Sequence, residues 1–137
     1  MESEAPVMIH EGFLAGDNTN ILPVRKCTTD GSYEENTDEQ ISVCCYYLEG
    51  YLETLLNKYF SLDVQIEDYH NTNSYDEFGW NFYTPEQMTG ILAELEKYIG
   101  SQDKSDRIID FYDRFATRMK KMLNHLNGYD LILFCGP

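Results

Sequence analysis

Basic side chains, paired cysteines and long apolar runs are all scarce in this chain of 137 residues. Ten Lys and Arg stand against 24 Asp and Glu, for a net charge of −14. A surface of that sign repels phosphates, which disfavours DNA, RNA and anionic lipid as direct partners and favours a basic one. The plainer alternative is acidity that serves only solubility. Cys27, Cys44, Cys45 and Cys135 lack C-x-x-C spacing, and adjacent Cys44 and Cys45 cannot easily bridge each other. All four read as reduced thiols of a cytoplasmic protein, with Cys44 and Cys45 on a helix. No stretch approaches 18 apolar residues, and Met1 to His10 has no basic region followed by an apolar run. Neither a membrane span nor a signal peptide is expected.

Catalytic and metal-binding motifs are missing as well. There is no G-x-S-x-G elbow, and His10, His70 and His125 stand in no nucleophile–base pattern. His10 and His70 are expected in loops or on the surface, and His125 near a helix C-terminus, where an imidazolium suits the dipole. A calcium loop starting at Asp68 fails, because its sixth position is not Gly and its twelfth is Gly79. Zinc fails for want of Cys and His spacing, and Gly12 to Gly16 lacks the Lys and Ser/Thr of a phosphate loop. No cofactor is expected. Adjacent Asp76 and Glu77 suit acid–base work in principle, but such pairs in polar loops are usually just solvated.

What is present is enough for one domain over residues 1–137. Hydrophobic residues make up 42% and aromatics 14%, so the chain can bury a core that offsets its ordering entropy. A short strand is expected over 21–24, with Pro23 confining it to a sheet edge. Asp30-Gly31 marks a turn. Thr37 and Gln40 read as a capping box opening a helix over 38–60, with Ile41, Cys44, Cys45, Leu48, Leu52, Leu55, Leu56 and Tyr59 as its apolar stripe and Glu49 and Glu53 on the other face. Residues 62–67, L-D-V-Q-I-E, alternate as a strand burying Leu62, Val64 and Ile66. Residues 78–83, F-G-W-N-F-Y, make its antiparallel partner. Thr84, Pro85 and Gln87 cap a second helix carrying Met88, Ile91, Leu92, Leu95 and Ile99, ended by Gly100. A third helix spans 103–127, with ion pairs Asp103–Arg107 and Asp110–Arg114, and stops at Gly128. Residues 131–134 form a buried C-terminal strand. The fold class is therefore α+β: three main helices packed on a small, mostly antiparallel sheet.

Between Tyr59 and Glu96 there is no Lys or Arg, whereas residues 101–127 hold six against four Asp. Charge is thus segregated along the chain. Asp63, Glu67, Asp68, Tyr69, Tyr75, Asp76, Glu77, Trp80 and Tyr83 form the candidate partner-binding set, in which carboxylates steer a basic protein and aromatic rings anchor it. The alternative is a solvated sheet face whose aromatics belong to the core. The helical stripe Arg107, Arg114, Arg118 and Lys121 reads as an ordinary solvated face; anion binding, or an acidic face of a second copy in a homodimer, stays open.

Residues 78–99, FGWNFYTPEQMTGILAELEKYI, together with the acidic, Tyr-rich helix expected before them, resemble small bacterial immunity proteins of polymorphic-toxin and contact-dependent inhibition systems. That resemblance covers about a sixth of the chain and implies a non-enzymatic inhibitor that binds and blocks a cognate basic toxin. No residue role carries over from it. Two rivals remain: an acidic mimic of nucleic acid that inhibits a DNA- or RNA-binding enzyme, with carboxylates spaced in rows, and a small enzyme with a carboxylate-lined pocket.

Overall fold

The computed structural model describes residues 18–27, 32–66 and 73–136. Among these residues five strands form one antiparallel sheet: β1 (Asn18–Lys26), β2 (Tyr33–Glu35), β3 (Ile41–Cys44), β4 (Trp80–Tyr83) and β5 (Leu131–Cys135). The order is β2-β1-β5-β4, and β3 also pairs with β1, beyond the end of β2. Three helices complete the α+β fold: α1 (Tyr51–Lys58), α2 (Pro85–Gly100) and α3 (Arg107–Leu123).

The strand expected at 21–24 is longer and central rather than an edge. β1 meets β5 on one side and β2 and β3 on the other. Pro23 is tolerated because its missing N–H faces the break between β2 and β3. There its carbonyl accepts the Asn36 N–H at 2.9 Å, just before a 3₁₀ turn at Thr37–Glu39. β5 reads LILF because it is buried on both faces. Ile132 and Phe134 join Ile21, Tyr83 and the helices in the main core, while Leu131 and Leu133 join Leu22, Val24 and Phe82 in a smaller cluster on the opposite face.

The helix expected over 38–60 is corrected. Asn36, not Thr37, caps the 3₁₀ turn, and Gln40 is extended. Ile41 and Val43 then build β3, Cys44 ends it, and Cys45–Leu48 is a second 3₁₀ turn. Neither Cys44 nor Cys45 lies on an α-helix, although all four cysteines are unbridged. Only eight residues are α-helical.

Gly50 sits at the N-cap of α1 with φ 87°, a conformation that suits glycine, and offers no capping side chain. Tyr112 of α3 substitutes: its hydroxyl accepts the Leu52 N–H at 3.3 Å and donates to the Glu49 carbonyl at 3.4 Å. Tyr112→Phe should therefore cost about 1–2 kcal/mol in urea unfolding, the usual loss for a helix cap. A change below a few tenths would show that α1 needs no cap from α3.

α2 starts as expected, with both bonds of the Thr84–Gln87 capping box formed. α3 starts later than expected, at an Asp106 cap, because the Asp103 carboxylate is engaged by Ser105 instead of Arg107. Its packing stripe includes Phe115, Met119 and Met122, all buried. α3 also ends earlier than expected, at Leu123 with Asn124 as its C-cap, so Gly128 is not its stop; Asn127 and Gly128, both at positive φ, turn the chain toward β5. No helix among the described residues is long and apolar enough to cross a membrane.

Candidate partner interface

The strand expected over 62–67 does not form. Leu62–Val64 is a 3₁₀ turn, Leu62 is 57% exposed, and Gln65, expected on the outer face, is buried. The cause is specific. The Gln65 amide lies along the outer edge of β4, where Nε2 donates to the Phe82 carbonyl at 2.9 Å and Oε1 accepts the Phe82 N–H at 2.8 Å. One side chain thus takes the place of a strand.

A second buried amide shapes the loop at 73–79. Asn81 Oδ1 accepts the Asp76 N–H at 2.7 Å, while Nδ2 donates to the carbonyls of Asp76 at 2.8 Å and Phe134 at 3.2 Å. Within the loop, Asp76 Oδ1 accepts the Phe78 N–H at 3.0 Å, a local turn that Asp favours. The C-terminal end of β5 presses on the same loop. The Gly136 N–H donates to the Gly79 carbonyl at 2.8 Å, and a Cβ at Gly136 would collide with the Glu77 carbonyl oxygen. α1 reaches it too, with Asn57 Oδ1 accepting the Tyr75 N–H at 3.2 Å. Held at these points, the loop presents Phe78, 65% exposed, and leads into Trp80, 39% exposed.

Charge at this end is of one sign. Burial pushes the Glu77 carboxyl above its ordinary value, and the charges of Glu49, Glu53 and Asp76 push it further the same way. The ion pairs among the described residues lie elsewhere, joining Arg25 to Glu34, Lys58 to Glu94, Arg114 to Asp110 and Lys120 to Glu96. None of the four clustered carboxylates takes part. Tyr75 of the same loop is only 7% exposed, and its hydroxyl has no hydrogen-bond partner among the described residues. Burial, then the charges of Glu53 and Glu77, drive that phenol well above its usual range.

Of the nine candidate residues, the loop brings Asp76, Glu77 and Trp80 to one end of the sheet. Asp63 is exposed on the 3₁₀ turn. Tyr83, at 0% exposure, belongs to the core and donates to the Leu56 carbonyl at 2.7 Å; Tyr75 packs edge-on against Phe134. Those two rings are covered, and as a surface pair with the acids they are corrected. Glu67, Asp68 and Tyr69 lie outside the described residues, as do His10, His70 and the Asp30-Gly31 turn. Sequence reasoning missed Glu49, Glu53 and Phe78. The two glutamates were placed on the far face of a long helix, and nothing local to them announces that Asn57 draws the loop onto α1.

No group of three or more His, Cys, Asp or Glu among the described residues could hold a metal ion. A hollow of about 350 Å³ between α2 and α3 contains Glu96 beside Lys120, and another of about 420 Å³ contains Glu94 beside Lys97. Each has a single carboxylate, so neither gathers the acids an acid–base site needs. On the basic stripe of α3, Arg107 reaches the Tyr47 hydroxyl at 3.4 Å and Arg114 the Asp110 carboxylate at 2.9 Å. His125 follows α3, with Nδ1 2.7 Å from the Lys121 carbonyl. No family model, curated protein or solved structure matches the chain.

Proposed function

We propose that this chain is a toxin-neutralising immunity protein, acting in the cytoplasm without catalysis, that binds a basic toxin domain and blocks its active site or an adjacent exosite. The observation that supports this reading is the set of four carboxylates, Glu49, Glu53, Asp76 and Glu77, none in an ion pair of the described residues, beside a pinned loop that presents Phe78. Carboxylates that repel one another in the free protein gain when a basic surface arrives, and an exposed ring on a fixed loop loses little entropy on contact. The compact clustering suits one protein site better than the extended rows that mimicry of a nucleic acid requires.

The direct test is co-expression with the product of the neighbouring reading frame. Growth protection with recovery of a one-to-one complex is the expected result; an unprotected host and no complex would sink the proposal. Binding should also be electrostatically steered. Between about 50 and 500 mM NaCl the association rate should fall at least about tenfold, while dissociation changes by no more than about threefold. A salt-independent association rate would remove the acidic cluster from the mechanism.

A further inference from the structure

Residues 78–83, F-G-W-N-F-Y, hold no charge and no proline, and four of the six are aromatic strand formers. On a sheet edge, a segment of that composition is a template for pairing with another chain. β4 is such an edge, because it ends the strand path β2-β1-β5-β4. The Gly136 N–H, bonded to the Gly79 carbonyl, sets the alternation along it. Asn81 and Tyr83, two and four positions on, turn their backbone groups inward to Phe134 and Ile132 of β5. Phe82 turns its N–H and carbonyl outward, and the Gln65 amide meets them at 2.8 and 2.9 Å.

In an antiparallel ladder, alternate residues exchange both backbone bonds with the residue opposite. The outward N–H and carbonyl of Phe82 are half of such a pair. The Gln65 amide, a donor and an acceptor on one flat group, imitates the other half. Phe82 of a second copy, turned about a two-fold axis, would supply it in full, so the edge is self-complementary.

We infer that the outer edge of β4 is a pairing surface for the β4 edge of a second copy of this chain, and that the Gln65 amide is the guard that keeps it shut. The guard is firmly seated. Its Nε2 also donates to the Ser61 carbonyl at 2.9 Å, so the turn that carries it fixes its direction. Ile66 and Val64 pack with Phe82 in the smaller cluster and hold that turn against the strand. A main-chain strand in the same place would present a new edge of its own, whereas a side chain closes the sheet without extending it. Net charge adds a second barrier at low salt, since each copy carries −14. Guarding the edge in this way is independent of what the acidic face binds.

Sedimentation velocity on the full chain tests the guard in about 300 mM NaCl, where a screening length of about 6 Å removes most of the charge barrier. The parent should stay monomeric at about 200 µM. Gln65→Met keeps the side-chain length but neither bonding group. It should form at least about tenfold more dimer than the parent, and exchange of the Phe82 N–H should slow as its concentration rises. Gln65→Leu should behave alike, and serves if the methionine variant does not fold. Gln65→Glu forfeits the donor to the Phe82 carbonyl but sets like charges on the two edges, so it should lose stability and stay monomeric. Tyr112→Phe, weakened at α1 instead, should stay monomeric too. Methionine and leucine variants that remain monomeric, or that associate without slowing Phe82, would overturn the guard. Dimers of Gln65→Glu or Tyr112→Phe in equal amount would overturn it as well, because lost stability alone would then account for association.

Discussion

Replacing Glu53 and Glu77 together by lysine lowers affinity for the basic partner by at least about two orders of magnitude and leaves the fold intact. Both side chains sit on the surface layer and neither is in an ion pair of the described residues. Glu77 is held above its ordinary pKa by burial and by three like charges, so its loss relieves repulsion. Glu53 lies in the first turn of α1, and reversing it forfeits a helix-dipole interaction of about 0.3–1 kcal/mol. The two effects oppose, and the melting temperature should move by no more than a few degrees. Against a basic surface, by contrast, like charge at two contact points costs several kcal/mol. Asp76 is deliberately left in place, because its carboxylate holds the Phe78 N–H and its reversal would disturb the loop itself. Lys104→Glu with Lys121→Glu, two exposed positions, is the control and should bind as the parent does. Parent-like binding by the Glu53 and Glu77 variant, measured by surface plasmon resonance, would place the interface elsewhere.

Asn81→Leu carries the largest expected stability effect, about 3–5 kcal/mol, because three backbone groups, one buried and two partly buried, lose this partner at once. The Asp76 N–H, the Asp76 carbonyl and the Phe134 carbonyl all bond to this one amide. Leucine has nearly the same volume, so the loss reports hydrogen bonding rather than a cavity. Urea unfolding measures it, and the emission of Trp80, one residue away, should shift as the loop loosens. Asn81→Asp keeps the acceptor for Asp76 but faces two carbonyls with an acid, so it should be no milder. A loss under about 1 kcal/mol would show that the loop holds its shape by other means. Gln65→Leu tests the companion amide at a smaller scale, since it serves only Phe82 and its own Ser61 carbonyl.

The contrast between α2 and the segment before it shows which features a sequence announces. Thr84, Pro85 and Gln87 specify a helix start through bonds made within four residues, and the start is where they place it. Residues 131–134 were legible as a buried strand for a similar reason: four apolar residues in a row suit a strand covered on both faces. Over 38–60 the apolar stripe is right and the element is wrong. Ile41, Cys44, Cys45, Leu48, Leu52, Leu55 and Leu56 are all buried, but the chain changes from strand to 3₁₀ turn to helix along them. A spacing of three and four cannot register such a change, although β-branched Ile41 and Val43 and the interruption at Gly50 were available signs. At 62–67 the alternation misled because the buried residue is the polar one. Gln65 goes inward to satisfy Phe82 of β4, seventeen positions further along the chain, and no window of local pattern contains that need. The acidic face was half legible on the same grounds: Asp76, Glu77 and Trp80 are neighbours in sequence, whereas Glu49 and Glu53 join them only through tertiary contacts.

The position of β5 has a consequence for how the chain comes off the ribosome. β1 and β4 never touch as strands; each pairs with β5, so Asn20 waits for Cys135 and Trp80 waits for the same residue. Every other element of the fold is synthesised before the strand that joins them. Until it emerges, Phe82 and Tyr83 of β4 have no strand to pair with, and the loop at 73–79 lacks both the Phe134 carbonyl and the clamp at Gly136. The face that carries the clustered carboxylates is therefore assembled after translation of the whole fold, as a late and cooperative event with a large sequence separation to bridge. A nascent chain has no finished surface to offer a partner, and a message cut short before Leu131 yields a product without one.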